Sequence, residues 1–250
     1  MRVAAVQFEP LLGDLSRNRA ALTLLTRTAA RAEPELIVLP EMCTSGYVFP
    51  DKESIAVYCE PRNGPSVSLF QREAQRLQTT ICFGWPEVNE SCGSLFNSAA
   101  ICFPDGSTIF YRKNLLYEAD ECWAEPGDNP YPEWTSRDGH RCTLGICMDL
   151  NDDKFVDFLT ERQIRVVAFP TNWIDQDFKV WNYWAYRLQN TRACLVAANR
   201  YGTEGGTKFC GDSAVLDGRV LLGMTEDKTD TVVWADIPID PVPYISQDED

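Results

Sequence analysis

At 250 residues, 44 % of them hydrophobic, the chain is long enough to bury a sizeable core, and α/β folds of this length commonly form one domain. A formal charge of −14 and scattered basic residues speak against nucleic acid and anionic membranes as partners. No stretch approaches the ~20 consecutive apolar residues that cross a bilayer.

The opening MRVAAVQF reads as a strand, without the apolar run and cleavage site of a signal peptide. Ten cysteines would suit a disulfide scaffold only in a small secreted chain. Here Cys82, Cys102, Cys142 and Cys194 lie in apolar, strand-like runs, as reduced core cysteines do. The expected location is therefore the reducing cytoplasm. No CxxC and no Cys/His ligand set appears, so neither a structural metal nor a cofactor is expected. The glycines at 202, 205 and 206 match no phosphate loop.

In chain order, Val3–Phe8 reads as a strand. From Asp14 to Arg31, Leu15, Leu22, Leu25 and Ala29 share one helical face. Glu35–Leu39 is a second strand. Val67, Phe70, Ala74 and Leu77 mark another helix, followed by a strand over Thr80–Trp85. Ser98–Phe103 and Thr108–Arg112, joined by Pro-Asp-Gly-Ser, read as a hairpin. Arg141–Ile146 is a strand, with Phe155, Phe158 and Leu159 giving a short helix after it. Arg165–Phe169 is a strand; Trp181, Trp184, Ala185 and Leu188 lie on a helix; Leu195–Ala198 is a strand. Single strands near Phe209–Leu216 and Thr231–Ala235 follow, and the acidic end over 246–250 is expected to be mobile. This alternation predicts one α/β domain over 1–250 with largely parallel sheets.

Ligands in such folds collect at the carboxyl ends of strands. Glu41, Lys113, Cys147 and Thr171-Asn172-Trp173 each follow a predicted strand. Cys147 stands out among them. It sits between an apolar run and a helix-starting segment, where a helix N-terminus would favour the attacking thiolate. The only histidine, His140, begins the same strand and lies about 23 Å away at ~3.3 Å per residue. A Cys–His or Ser–His–Asp arrangement is thereby disfavoured, and a carboxylate or amine must activate the thiol. The aperiodic segment from Asn114 to Pro132, which contains Asp120 and Glu121, is long enough to suggest an active-site loop. Trp181 and Trp184 read as core.

VAAVQFEPLLGDLSRN, LIVLPEM, YRKNLLYEADECWAEPGD, LGICMDLNDDKF and RACLVAANRYG…FCGDSAVLDGRVL together resemble the nitrilase (carbon–nitrogen hydrolase) superfamily over nearly the whole chain. That resemblance implies a four-layer αββα sandwich and a Glu–Lys–Cys triad: Glu41 as base, Lys113 as cation, Cys147 as nucleophile. It implies a second carboxylate beside the site, matched by position to Glu121. Met148, through its backbone N–H, and Asn172 and Trp173 are the candidate oxyanion and substrate contacts. GICMDL is similar to amidases that act on the side-chain amide of an N-terminal Asn or Gln. Met148-Asp149-Leu150-Asn151 stands where many members have Tyr-Asp-x-Arg-Phe-Pro, which leaves the substrate open. Asp149 is expected to cap the following helix.

The implied activity is release of ammonia from a linear carboxamide through a Cys147 thioester. N-carbamoyl hydrolysis, nitrile hydrolysis and a silent binding role on the same fold are the alternatives. The resemblance also implies a homodimer. The apolar, extended Pro241-Val242-Pro243-Tyr244-Ile245 is a candidate intersubunit segment.

Overall fold

The computed structural model of the protein describes residues 1–238. Its strands are β1 (Arg2–Gln7), β2 (Leu36–Val38), β3 (Thr80–Val88), β4 (Leu95–Cys102), β5 (Thr108–Arg112), β6 (Glu133–Thr135) and β7 (Arg141–Leu144). After them come β8 (Val166–Thr171), β9 (Cys194–Asn199), β10 (Tyr201–Glu204), β11 (Thr207–Cys210), β12 (Ala214–Asp217), β13 (Val220–Met224) and β14 (Thr231–Asp236). The helices are α1 (Leu15–Ala29), α2 (Lys52–Ala56), α3 (Pro65–Leu77), α4 (Glu118–Glu121), α5 (Asp153–Glu161) and α6 (Val180–Leu188).

Two six-stranded sheets form, in the orders β14-β1-β2-β3-β4-β5 and β13-β12-β9-β8-β7-β6. Each has a parallel centre, β1-β2-β3 and β7-β8-β9, flanked by antiparallel strands. Their inner faces meet: Val3, Ala5, Val38 and Ile101 of the first sheet share a cluster with Val167, Phe169, Val196 and Val215 of the second. On the outer face of the first sheet, Leu22 of α1 and Val67, Phe70 and Ala74 of α3 pack on Val6, Ile81 and Phe83. On that of the second, Phe155 and Leu159 of α5 and Trp184 and Leu188 of α6 are buried. Four layers, αββα, result. Each such apolar side chain contributes about 1.5–3 kcal/mol on burial.

Local chemistry sets the helix starts. Asp14 accepts a hydrogen bond from Arg17 N at 3.0 Å and begins α1, and Pro65 occupies the first turn of α3, where its missing N–H costs nothing. One expectation fails. Phe209–Leu216 is not a single strand, because Gly211 and Asp212 take positive φ and divide it into β11 and β12. β11 pairs with β10 in a separate hairpin. The acidic end and the Pro241–Ile245 segment lie outside the described residues.

Candidate active site

β2 delivers Glu41. After Val38 the chain keeps following β3, through Leu39 N to Cys82 O and Gly84 N to Pro40 O, then Cys43 N to Gly84 O. A side chain at Gly84 would put its Cβ 2.6 Å from Glu41 Cα. The close approach of the two backbones, and with it the place of Glu41, needs a glycine there.

β5 delivers Lys113, whose backbone N–H donates to Asn97 O on β4 at 2.9 Å. Its ammonium lies 2.8 Å from Glu41 Oε1 and 2.6 Å from Asp120 Oδ2, with all three side chains buried. Asp120 sits on α4, where its Oδ2 also accepts Tyr117 N at 3.0 Å. The carboxylate beside the lysine is thus Asp120. Glu121, matched to that role by position, is exposed. The short helix turns its third residue inward, where the Asp side chain both closes the helix start and reaches Lys113.

Asn97 is a buried member that sequence patterns did not single out. Its Nδ2 donates to Glu41 Oε1 at 2.7 Å and to Asp120 Oδ1 at 3.0 Å. Glu41 Oε2 is buried and accepts no hydrogen bond from the described residues.

The second sheet supplies the sulfur. Cys147 opens a single 3-10 turn, Cys147–Asn151, directly after β7 and Ile146, with φ at +43°. A non-glycine residue held there carries backbone strain of about 1–3 kcal/mol. Asp149 holds the turn. Its Oδ2 accepts Ile146 N and the Tyr111 hydroxyl, both at 2.8 Å, and its Oδ1 accepts Leu115 N at 3.0 Å. Asp149 therefore closes the cysteine's own turn and ties it to the first sheet; it does not cap the following helix, α5, whose cap is Asp152, accepting Lys154 N. His140 is buried at the start of β7, and its backbone N–H is bound to Ser136. At the ends of β8 and β9, Trp173 N donates to Asn199 Oδ1 at 2.9 Å.

Charge states follow from burial. Burial pushes the Cys147 thiol up to about 12, reinforced by the Glu41 carboxylate and opposed too weakly by Lys113, the Thr171 hydroxyl and Asn172 N–H. The resting sulfur is protonated. One 3-10 turn does not supply the N-terminal field that favours a thiolate, so that expectation is corrected. Burial also raises Glu41, although Lys113 pulls it down. Burial alone would lower Lys113, but Asp120 and Glu41 outweigh it and hold the ammonium charged. The cluster is a buried ion triad of one cation between two carboxylates.

Cys147 opens onto a cavity of about 80 Å³ lined by Tyr47, Tyr117, Met148, Asn151, Asn172, Trp173, Ile174 and Gln176. No lining side chain is Lys, Arg, Asp or Glu. Asn172 is 3 % exposed, and both its amide atoms lack a partner among the described residues. Trp173 is buried and stacks edge-on against Trp184, which stays in the core. A larger groove of about 910 Å³ around Arg62, Glu87 and Arg112 holds none of this chemistry.

The family model for carbon–nitrogen hydrolases matches residues 2–243. The chain belongs to the carbon–nitrogen hydrolase family. It is a hydrolase of carbon–nitrogen bonds other than peptide bonds. The protein N-terminal amidase of Schizosaccharomyces pombe is 30 % identical over 89 % of this chain and 94 % of its own. The omega-amidase NIT2-A of Xenopus laevis is 26 % identical over 68 % of this chain and 62 % of its own. Among solved structures, an amidase from Nesterenkonia sp. AN1 superposes with a TM-score of 0.85 at 22 % identity, covering 96 % of this chain and 93 % of that one. The four-layer sandwich of the nitrilase superfamily is the fold of this chain.

All ten cysteines are free. No helix among the described residues is long and apolar enough to cross a membrane.

Proposed function

We propose that this hydrolase releases ammonia from the side-chain amide of the first residue of a peptide, with Cys147 as nucleophile. The observation that carries the reading is the small, uncharged cavity at Cys147, backed by the Glu41–Lys113–Asp120 cluster. Roughly 300–1,000 Å³ is usual for a drug-sized ligand, so this one suits a single short amide-bearing group with the rest of its chain outside. An ω-amide with a free carboxylate would find no cation on the cavity wall, and the α-ammonium of a peptide's first residue no anion, so in either case the charge lies outside and the cavity takes the amide end alone. The similarity to an N-terminal amidase is what favours the peptide.

The Cys147 Sγ–H proton passes to Glu41 as sulfur bonds to the carboxamide carbon. Glu41 Oε2 is the accepting oxygen, since Oε1 is already bound twice. The oxyanion is met by the remaining N–H of Lys113 and the backbone N–H of Met148, each donor worth about 3–4 kcal/mol in the transition state. Collapse breaks the C–N bond, and the proton on Glu41 leaves with ammonia. Glu41 then takes a proton from water, which attacks the thioester, and Cys147 leaves protonated with the acid product. Asp120 keeps Lys113 charged and aimed. Asn172 and Trp173 would hold the amide, whose donor and acceptor match the free donor and acceptor of the Asn172 side chain.

Ammonia release should be assayed on peptides beginning with Asn or Gln, on ω-amides bearing a carboxylate, on N-carbamoyl compounds and on nitriles. Preference for the peptides is expected. Turnover confined to another class overturns the substrate reading, and turnover by Cys147→Ala overturns the thiol mechanism. The proposal includes a one-domain enzyme, a cytoplasmic location that suits ten free thiols, and a homodimer. Phe178 and Tyr186, 46 % and 60 % exposed at and beside α6, support self-association. Light scattering that gives a monomer at micromolar concentration counts against the dimer.

A further inference from the structure

We infer that Asn97 is a positioning residue for the base. It fixes which oxygen of Glu41 takes the proton and holds Glu41 ionised until the thiol gives that proton up. The inference rests on the thiol mechanism above.

Two donors, the Asn97 amide and the Lys113 ammonium, are shared between the same two carboxylates. Lys113 Nζ binds Glu41 Oε1 and Asp120 Oδ2. Asn97 Nδ2 binds Glu41 Oε1 and Asp120 Oδ1. The four groups form a closed ring in which every N–H named points at an anionic oxygen. Oε1 of Glu41 takes two of these bonds, and both oxygens of Asp120 take one each. Only Oε2 of Glu41 remains without a donor among the described residues. A rotation of the Glu41 carboxylate that exchanged its oxygens would leave the same Oε2-like position free, so the ring defines a place for the proton and not merely an atom label.

The orientation of the Asn97 amide follows from the ring. Two ionised carboxylates can only accept, so the amide must turn its NH₂ toward them and leave its Oδ1 behind, buried and unpartnered. That costs the residue an unmade hydrogen bond. The arrangement is favourable while Glu41 is charged and less so once it is neutral. The main chain adds precision, because the Asn97 carbonyl accepts the Lys113 N–H at 2.9 Å. One residue of β4 thus fixes both the start of the lysine side chain and the partners of its end. Asn97 is fully buried and does not line the cavity, so it acts only through Glu41, Asp120 and Lys113.

The groups facing Glu41 are Lys113, Asp120, Cys147 and Tyr47, whose hydroxyl also reaches Asp120. Of these only Lys113 favours the charged carboxylate, and burial opposes it. Loss of the Asn97 donor therefore raises the affinity of Glu41 for a proton.

The test is the pH profile of kcat/KM for ammonia release by the full-length protein, with Asn97→Ala, Asn97→Ser and Asn97→Asp beside the parent. The acid limb of Asn97→Ala is expected to move up by about one pH unit, the effect of one hydrogen bond to a charged group. At a pH on that limb this is about a tenfold loss, regained as pH rises. KM should stay within about twofold, since uniform binding is untouched. Asn97→Ser, with one hydroxyl donor for two carboxylates, should shift less. Asn97→Asp, which adds a third carboxylate, should shift more. Should the alanine variant fail to fold, the serine and aspartate variants give the same ordering. A uniform loss at every pH, or an unmoved acid limb, overturns the inference and leaves Asn97 a structural residue. Glu41→Gln in the same assay separates the two readings. If it keeps the parental acid limb, the base assignment falls and this inference with it. If it is inactive while Asn97→Ala is unshifted, only the role of Asn97 is overturned.

Discussion

Lys113 Nζ lies 2.6 Å from Asp120 Oδ2, while the neighbouring Glu121 is exposed. A shared ammonium between two buried carboxylates leaves the cluster with one net negative charge, and the lysine is held by both partners. Asp120→Asn keeps the shape but removes the charge that anchors Lys113 and turns one acceptor oxygen into a donor. We expect it to lower kcat/KM by about a hundredfold or more, the scale of losing an aligned oxyanion donor. Asp120→Ala should also cost stability, on the order of 1–3 kcal/mol, since it leaves the Asn97 amide and the Tyr117 N–H without their acceptor. Glu121→Gln should change kcat/KM by less than about twofold, as an exposed carboxylate with no share in the cluster. Steady-state ammonia release and denaturant unfolding check both.

The protonation states set the pH dependence. Burial pushes the Cys147 thiol up to about 12, and two carboxylates outweigh burial to raise Lys113 well above its usual value. Neither titrates near neutrality. Glu41, raised by burial, must be ionised to accept the proton. Activity should therefore rise with pH through a single limb above the ordinary carboxylate range of about 4.3 and then stay level to about pH 10. A falling limb near pH 8 in kcat/KM would show that the reactive sulfur is far more acidic than its burial dictates.

The strand ends were legible because apolar runs are visible as runs. Val166–Thr171 stops directly before Asn172, while Leu36–Val38 and Arg141–Leu144 stop three residues before Glu41 and Cys147, so the apolar runs put all three just past strand ends. Lys113 followed in the same way from the hairpin. Asp120 against Glu121 was not legible. The choice depends on the rotation of a four-residue helix, set by Asp120 accepting Tyr117 N, and adjacent carboxylates give no periodicity from which to read a rotation. Asn97 was hidden for another reason. Its burial on β4 is that of a core position, between Phe96 and Ser98, and its value lies in contacts with residues 56 and 23 positions away. The state of the thiol is not legible because burial, which raises it, depends on tertiary packing, and because the segment after Ile146 begins as a 3-10 turn, with α5 starting only at Asp153.

Strain at Cys147, the proposed nucleophile, is a separate, measurable quantity. Cys147 is held at φ +43°, which glycine adopts freely and alanine does not. Cys147→Gly and Cys147→Ala should both be inactive. The glycine variant should be the more stable by about 1 kcal/mol, because relief of the left-handed conformation exceeds its extra unfolded-state freedom. Urea unfolding of the pair reads the difference directly. Equal stabilities would mean that the turn relaxes when the sulfur is gone.

Asp149 joins the two halves of the site, and its own ionisation tests that role. It is fully buried and raised to about 6, by burial opposed by the N–H groups of Ile146 and Leu115 and the Tyr111 hydroxyl. Unfolded, an Asp titrates near 3.9. The folded state therefore holds the proton more tightly, so the stabilising effect is complete below about pH 4 and lost as pH rises to about 6. Asp149→Asn has no such titration. The stability of the parent relative to this variant should fall across that window by on the order of 3 kcal/mol, as read from denaturant unfolding of both at matched pH. At pH 7, Asp149→Asn should still cost activity, because an amide turned to accept Ile146 N–H would aim its own NH₂ at Leu115 N–H. The cysteine turn would then lose its tie to the loop that carries Asp120. Tyr111→Phe removes only the hydroxyl bond and should lower stability by about 1–2 kcal/mol with a smaller loss of kcat. A pH-independent difference between parent and Asp149→Asn would show that Asp149 stays ionised throughout, and that its three donors outweigh its burial.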